Sequence, residues 1–138
     1  MKCLRLGMPD HSSSARRQPN VLARREVVLD EASLLLNAIG VSQTTLQDLA
    51  NVLGVTRNAL YYYFRDIEDL IFQVYRRSCE ILAGHLVEAT EGGGSALEVL
   101  QGFVTRCLDP DNPQMAALNE YGLLQPAHHA AILRIYDD

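Results

Sequence analysis

The stretch GVSQTTLQDLANVLGVTRNALYYYFRDIEDLI, residues 40–71, decides how the chain folds. Leu46, Leu49, Ala50 and Leu53 recur at i, i+3, i+4 and i+7, so residues 45–52 are predicted to form a short amphipathic helix. Thr44 or Thr45 opens it as a cap, because a threonine oxygen can accept from the free N–H groups of a first turn. Gly54 ends it, since glycine enters the left-handed conformation without a steric penalty. Thr56 caps a second short helix over 56–63, with Leu60 and Phe64 on its buried face. Two such helices joined by a tight glycine turn have the geometry of a helix-turn-helix, with Ala50 small where the helices approach. Periodicity alone also fits any three-helix bundle.

Working outward, Val28, Leu29, Ala32, Leu35, Leu36 and Ile39 mark a preceding helix over 21–39, stopped by Gly40. Residues 1–20 have no apolar period and read as a flexible arm. On the other side, Asp66 opens the longest helix, about 24 residues, with Glu68 and Asp69 where acids favour the helix dipole. Its apolar stripe is Ile67, Leu70, Ile71, Val74, Ile81, Leu82, Leu86 and Ala89. EGGGS (91–95) breaks it, and a fifth helix follows over 95–108. DPDNP (109–113) is a turn, and two short helices are expected near 113–124 and 126–136. No strand pattern occurs, so the fold class is all-α: a three-helix head, residues 21–65, and a partial helical-bundle body, residues 66–138.

Composition agrees with a globular chain. Its 138 residues are 48% apolar and 21% charged, and no run approaches the roughly 18 apolar residues of a membrane helix. Cys3, Cys79 and Cys107 form no CxxC pair, which points to a reducing, cytoplasmic setting with Cys79 and Cys107 in the core. The net charge of −5 is uneven. Residues 1–26 hold six basic and two acidic groups, and the remainder six and fifteen. The asymmetry fits either a solvated disordered tail or an N-terminal end that meets an anionic partner.

The residues of 40–71 closely resemble the DNA-binding region of the TetR family of bacterial transcriptional regulators. The resemblance rests on Gly40, Thr44-Thr45, Leu49-Ala50, Gly54-Val55-Thr56, Leu60-Tyr61, Tyr63-Phe64 and Glu68-Asp69-Leu70, in register over about 45 residues. Two positions depart from the family pattern: Ile67 stands where a phosphate-binding lysine is common, and Asn58 where a small residue or proline is common. The resemblance implies a ligand-responsive repressor that binds a palindromic double-stranded DNA operator as a homodimer and responds to a small-molecule effector. With Leu60 and Phe64 buried, Asn58, Tyr61 and Tyr62 point away from the core, and Arg57 lies in the first turn. Such residues reach base edges, arginine suiting guanine and asparagine adenine. The base-contact candidates are thus Arg57, Asn58 and Tyr62, with Gln47 added by resemblance. The phosphate candidates are Thr45, Tyr61, Tyr63 and Arg65.

Residues 21–66 carry four arginines against five acids, so the arm, Arg24, Arg25 and the hydroxyl donors are expected to share the phosphate work. His85 with Glu88, and His128-His129, lack the convergent spacing of a metal site. No phosphate-binding loop, nucleophile motif or cofactor motif is present, so neither an enzyme nor a cofactor is expected. Family chains run to about 200 residues, so this one is expected to be a fragment with an incomplete body. Leu97, Leu100, Phe103, Val104, Leu118 and Ile132 would then be only partly covered. Two rivals stay open: a DNA-binding module without sensing, and a helical interaction protein that no longer binds DNA.

Overall fold

The computed structural model describes residues 17–117 and 124–136. Among these every regular element is helical: α1 (Arg17–Ile39), α2 (Leu46–Leu53), α3 (Arg57–Leu60), α4 (Ile67–Glu91), α5 (Ala96–Leu108) and α6 (Pro126–Leu133), ending in a 3-10 turn, Arg134–Tyr136. No described helix is long and apolar enough to cross a membrane.

The helix boundaries follow local chemistry. Thr45 caps α2 through a box with Asp48: the Asp48 N–H donates to Thr45 Oγ1 at 3.2 Å, and the Thr45 N–H donates to Asp48 Oδ2 at 2.9 Å. Gly54 closes α2 at φ +65°, and the Val55 N–H reaches back to the Ala50 carbonyl, which satisfies the last turn. Thr56 caps α3 and Asp66 caps α4, accepting from the Ala59 and Asp69 N–H groups. Ser95 and Glu98 form a second capping box on α5.

One apolar core joins α1, α2, α3 and α4. Leu29, Ala32, Leu49, Ala50, Leu60, Phe64, Leu70 and Val74 are almost wholly buried, and each full Leu or Phe burial stabilises by about 1.5–3 kcal/mol. Ser33 and Ser78 sit in this core without penalty, because their hydroxyls donate to the carbonyls of Leu29 and Val74. Ala116, Leu124 and Ile132 extend the core beyond α5. His128 stacks on Phe72 with ring centres 4.1 Å apart, docking α6 on α4.

Several expectations change. The expected arm extends to residue 20, but α1 begins at Arg17; residues 1–16 lie outside the described residues. α3 spans only four residues where 56–63 is expected. The chain then tightens into turns, the Tyr63 N–H bonding to Leu60 three residues back rather than four. Of the helix expected near 113–124, residues 113–117 are not helical and 118–123, including Leu118, are outside the described residues. Leu86, placed in the α4 stripe, is exposed, and Ile132, expected to be part-covered, is buried. Leu97, Leu100 and Val104 do stand exposed, Phe103 is half-buried, and no residue of α5 is fully buried.

α5 nevertheless packs on α4. At Gly102 an added Cβ would lie in ordinary contact with Ala89 Cβ, at 4.0 Å, and tightly against the Arg106 guanidinium of the same helix, at 3.2 Å. Arg106 pairs across the contact with Glu88 at 3.2 Å. Cys79 is buried and Cys107 half-buried, and burial pushes the Cys107 thiol up from its ordinary value.

Candidate nucleic-acid interface

α2 and α3 present two concavities, one on either side of the short third helix. The first, about 470 Å³, is lined by Thr44, Thr45, Leu46, Gln47, Arg57, Tyr61, Asp66 and Ile67. It gathers Gln47 and Arg57 of the base candidates and Thr45 and Tyr61 of the phosphate candidates. The second, about 740 Å³ and mainly apolar, gathers Tyr62 and Tyr63 with Arg24, Val27, Val28, Leu53, Val55, Ala59 and Leu60. Asn58 and Arg65 are exposed and line neither.

Within the first concavity Arg57 is exposed and lies 5.7 Å from the Tyr61 ring centre, in cation–π range. The ring steadies the guanidinium without neutralising its charge or occupying its in-plane donors. Gln47 is held by Asn51 one turn on, its Nε2 donating to Asn51 Oδ1 at 2.9 Å. Asn51 is exposed beside it and was missed in the sequence, where the i, i+4 spacing of two amides was the available signal. Tyr62 is the most exposed of the three tyrosines at 73%. Tyr63 is half-buried against the core and edge-on to Tyr62, with ring centres 5.2 Å apart.

Thr45 is differently placed from the other phosphate candidates. Its N–H and its hydroxyl both point at Asp48 Oδ2, the hydroxyl at 2.6 Å. Its single hydroxyl proton is therefore engaged by a carboxylate, and a phosphate would have to displace that anion. Asp66 has its own partner, Oδ1 accepting the Asp69 N–H at 2.8 Å. The acids on this face thus complete helix N-termini, where their charge is partly offset by the helix dipole.

Arg25 does not present its guanidinium outward as expected. It turns to α4, donating to Gln73 Oε1 at 3.0 Å and lying 3.8 Å from Glu26. Arg24 is exposed and lines the second concavity, while Arg65 fixes its loop by a backbone N–H to Asp69 Oδ2 at 3.0 Å.

Comparison with known proteins agrees with this geometry. Residues 28–74 match the family model described as bacterial regulatory proteins, tetR family. The chain is 41% identical over 54 residues to the HTH-type transcriptional regulator AcrR of Shigella flexneri, covering 39% of this chain and 25% of that one. It is 26% identical over 98 residues to the HTH-type transcriptional repressor KstR2 of Rhodococcus jostii, covering 71% and 48%. The chain therefore spans at most about half the length of these two relatives. The crystal structure of PfmR, a TetR family transcriptional regulator from Thermus thermophilus, superposes with a TM-score of 0.62 at 25% identity, covering 80% of this chain and 62% of that one. The capped helices and the left-handed Gly54 turn lie inside the matched region, so the N-terminal part of the chain, residues 28–74, is similar to the tetR family of bacterial regulatory proteins.

Proposed function

We propose that the protein is a sequence-specific DNA-binding transcriptional regulator, a repressor that docks α3 and the start of α2 in the major groove. The observation that carries this reading is the concavity in which Gln47 of α2, Arg57 of α3 and Tyr61 converge, the two helices being joined by the left-handed Gly54 turn. Arg57 and Gln47 supply donors for base edges, Asn58 and Tyr62 extend the face along α3, and Tyr61, Tyr63 and Arg65 set the register on phosphates. Thr45 joins them only if Asp48 moves away. Base readout and backbone positioning would thus come from different residues of one short segment.

The body would receive a small-molecule effector, and two copies would bind a palindromic operator. A ligand that favours the arrangement unable to grip DNA would release it by shifting the population. The protein would act in the cytoplasm and without catalysis.

Selection of duplexes from a random pool, followed by footprinting, tests the reading. A recurring sequence protected on one groove face is the expected result. Recovery of unrelated sequences from the pool would contradict it.

A further inference from the structure

Residues 114–117 are fastened between α1 and α4 almost entirely by side chains. The Gln114 N–H donates to Asp30 Oδ1 at 2.9 Å, and its carbonyl accepts from Arg77 Nη1 at 2.9 Å. The Met115 carbonyl accepts from Asn37 Nδ2 at 2.8 Å, and the Ala117 N–H donates back to Asn37 Oδ1 at 2.6 Å. Between them the Ala116 N–H donates to Ser78 Oγ at 2.9 Å. Asp30 and Asn37 lie seven residues apart on one face of α1, while Arg77 and Ser78 are neighbours on α4. The strap therefore tethers both helices at once.

A polar chain leads from this strap to the end of the recognition segment. Arg77 is buried, and besides Gln114 it binds Asp30 and Glu26, each at 2.7 Å. Glu26 neighbours Arg25, Arg25 donates to Gln73, and Gln73 Nε2 donates to Asp69 Oδ1 at 3.4 Å. Asp69 Oδ2 then accepts the Arg65 N–H. Every link is a contact between named polar groups, and the last one holds the peptide through which α3 joins α4.

We propose that Asn37 and Gln73 are positioning residues for DNA binding: the clasped strap sets the pose of the Arg65 loop through Arg77, Arg25, Gln73 and Asp69. This rests on the DNA-binding reading above and adds a route by which a change in the body alters the recognition face. Opening the strap lets α1 and α4 shift, and the loop after α3 loses its fixed angle. The quantity that tests this route is the coupling energy between the strap and the loop.

A double-mutant cycle supplies it. Asn37 is exposed, so Asn37→Ala removes two strap bonds and leaves no core cavity. Gln73→Leu keeps bulk while breaking the chain in its middle. Using the full 138-residue chain and a duplex it has selected from a random pool, each single variant should weaken binding roughly fivefold. The double variant should be no weaker than either single variant, with melting temperatures close to the parent's, because both cut one chain. Single-variant losses that multiply, or an Asn37→Ala variant that binds as the parent does, would overturn the proposal. If the parent selects no duplex, the DNA reading fails, and hydrogen exchange at the Arg65 amide decides the coupling instead. Faster exchange at Arg65 in Asn37→Ala supports it, and unchanged exchange overturns it.

Discussion

In the proposed reading, Arg57 is the side chain on which specificity turns. It is exposed, it is steadied by the Tyr61 ring, and no carboxylate neutralises it among the described ion pairs. Arg57→Ala should cost roughly 1–3 kcal/mol on the selected duplex and relax preference at one base pair. Binding to a panel of single-base variants of that duplex checks this; equal losses on every variant would move Arg57 to the phosphate group of contacts. Gly54 offers a separate test of backbone rather than contact. No atom lies within 4 Å of a Cβ built there, so Gly54→Ala meets no clash and is opposed only by its φ of +65°. A loss of about 1–2 kcal/mol in denaturant unfolding is expected, with Gly54→Asn milder. Gly54 was legible in the sequence because its signal is local, a glycine after an apolar period, whereas the choice between Thr44 and Thr45 as the cap stayed open there and is made by Asp48. The direction of Arg25 was not legible. It depends on Gln73, 48 residues away, and nothing near Arg25 announces that partner.

The helices differ in how they are held. α1 to α4 share a closed core, whereas α5 relies on its capping box, the Gly102–Ala89 approach and the Arg106–Glu88 pair. In the box, the Ser95 N–H and hydroxyl hold the Glu98 carboxyl below its ordinary value of 4.5. A lowered carboxylate value means that the folded state favours the charged form. Its contribution is complete above 4.5 and is lost as pH falls through the lowered value. The first turn of α5 should therefore loosen below that ordinary value while α2 to α4 persist. Amide shifts of Ser95 and Glu98 followed by NMR check it, and Glu98→Gln should flatten the response. The pattern also explains what sequence reading missed in this region. DPDNP marked the end of α5 correctly, but 113–117 carries no side-chain pattern of its own. Its conformation is set by Asp30, Asn37, Arg77 and Ser78, residues distant in sequence whose polar groups satisfy its backbone. The early end of regular helix in α3 escaped for a related reason, since Leu60 and Phe64 keep their i, i+4 burial through the tightened turn.

Two surfaces dominate the described residues, an apolar one on α5 and the proposed recognition face on α2 and α3. Leu97, Leu100, Val104 and Leu108 stand exposed along α5, with Leu86 and Val87 exposed near the end of α4. Apolar exposure of this extent favours association. Replacing Leu97 and Leu100 by lysine should reduce self-association in sedimentation at micromolar concentration while leaving the melting temperature nearly unchanged. A large fall in melting temperature would show that these side chains are packed in solution. The recognition face has a different test, because overall charge works against it: the chain carries −5, and nucleic acid is strongly anionic. Binding must come from local donors, so it should be both selective and sensitive to salt. The most direct measurement is a titration of the selected duplex and a scrambled duplex of equal length at several salt concentrations. Tighter binding to the selected duplex is expected throughout, with affinity for both falling as salt rises through counterion release. Equal affinity for the two duplexes at every salt concentration, or no binding to either, would contradict it.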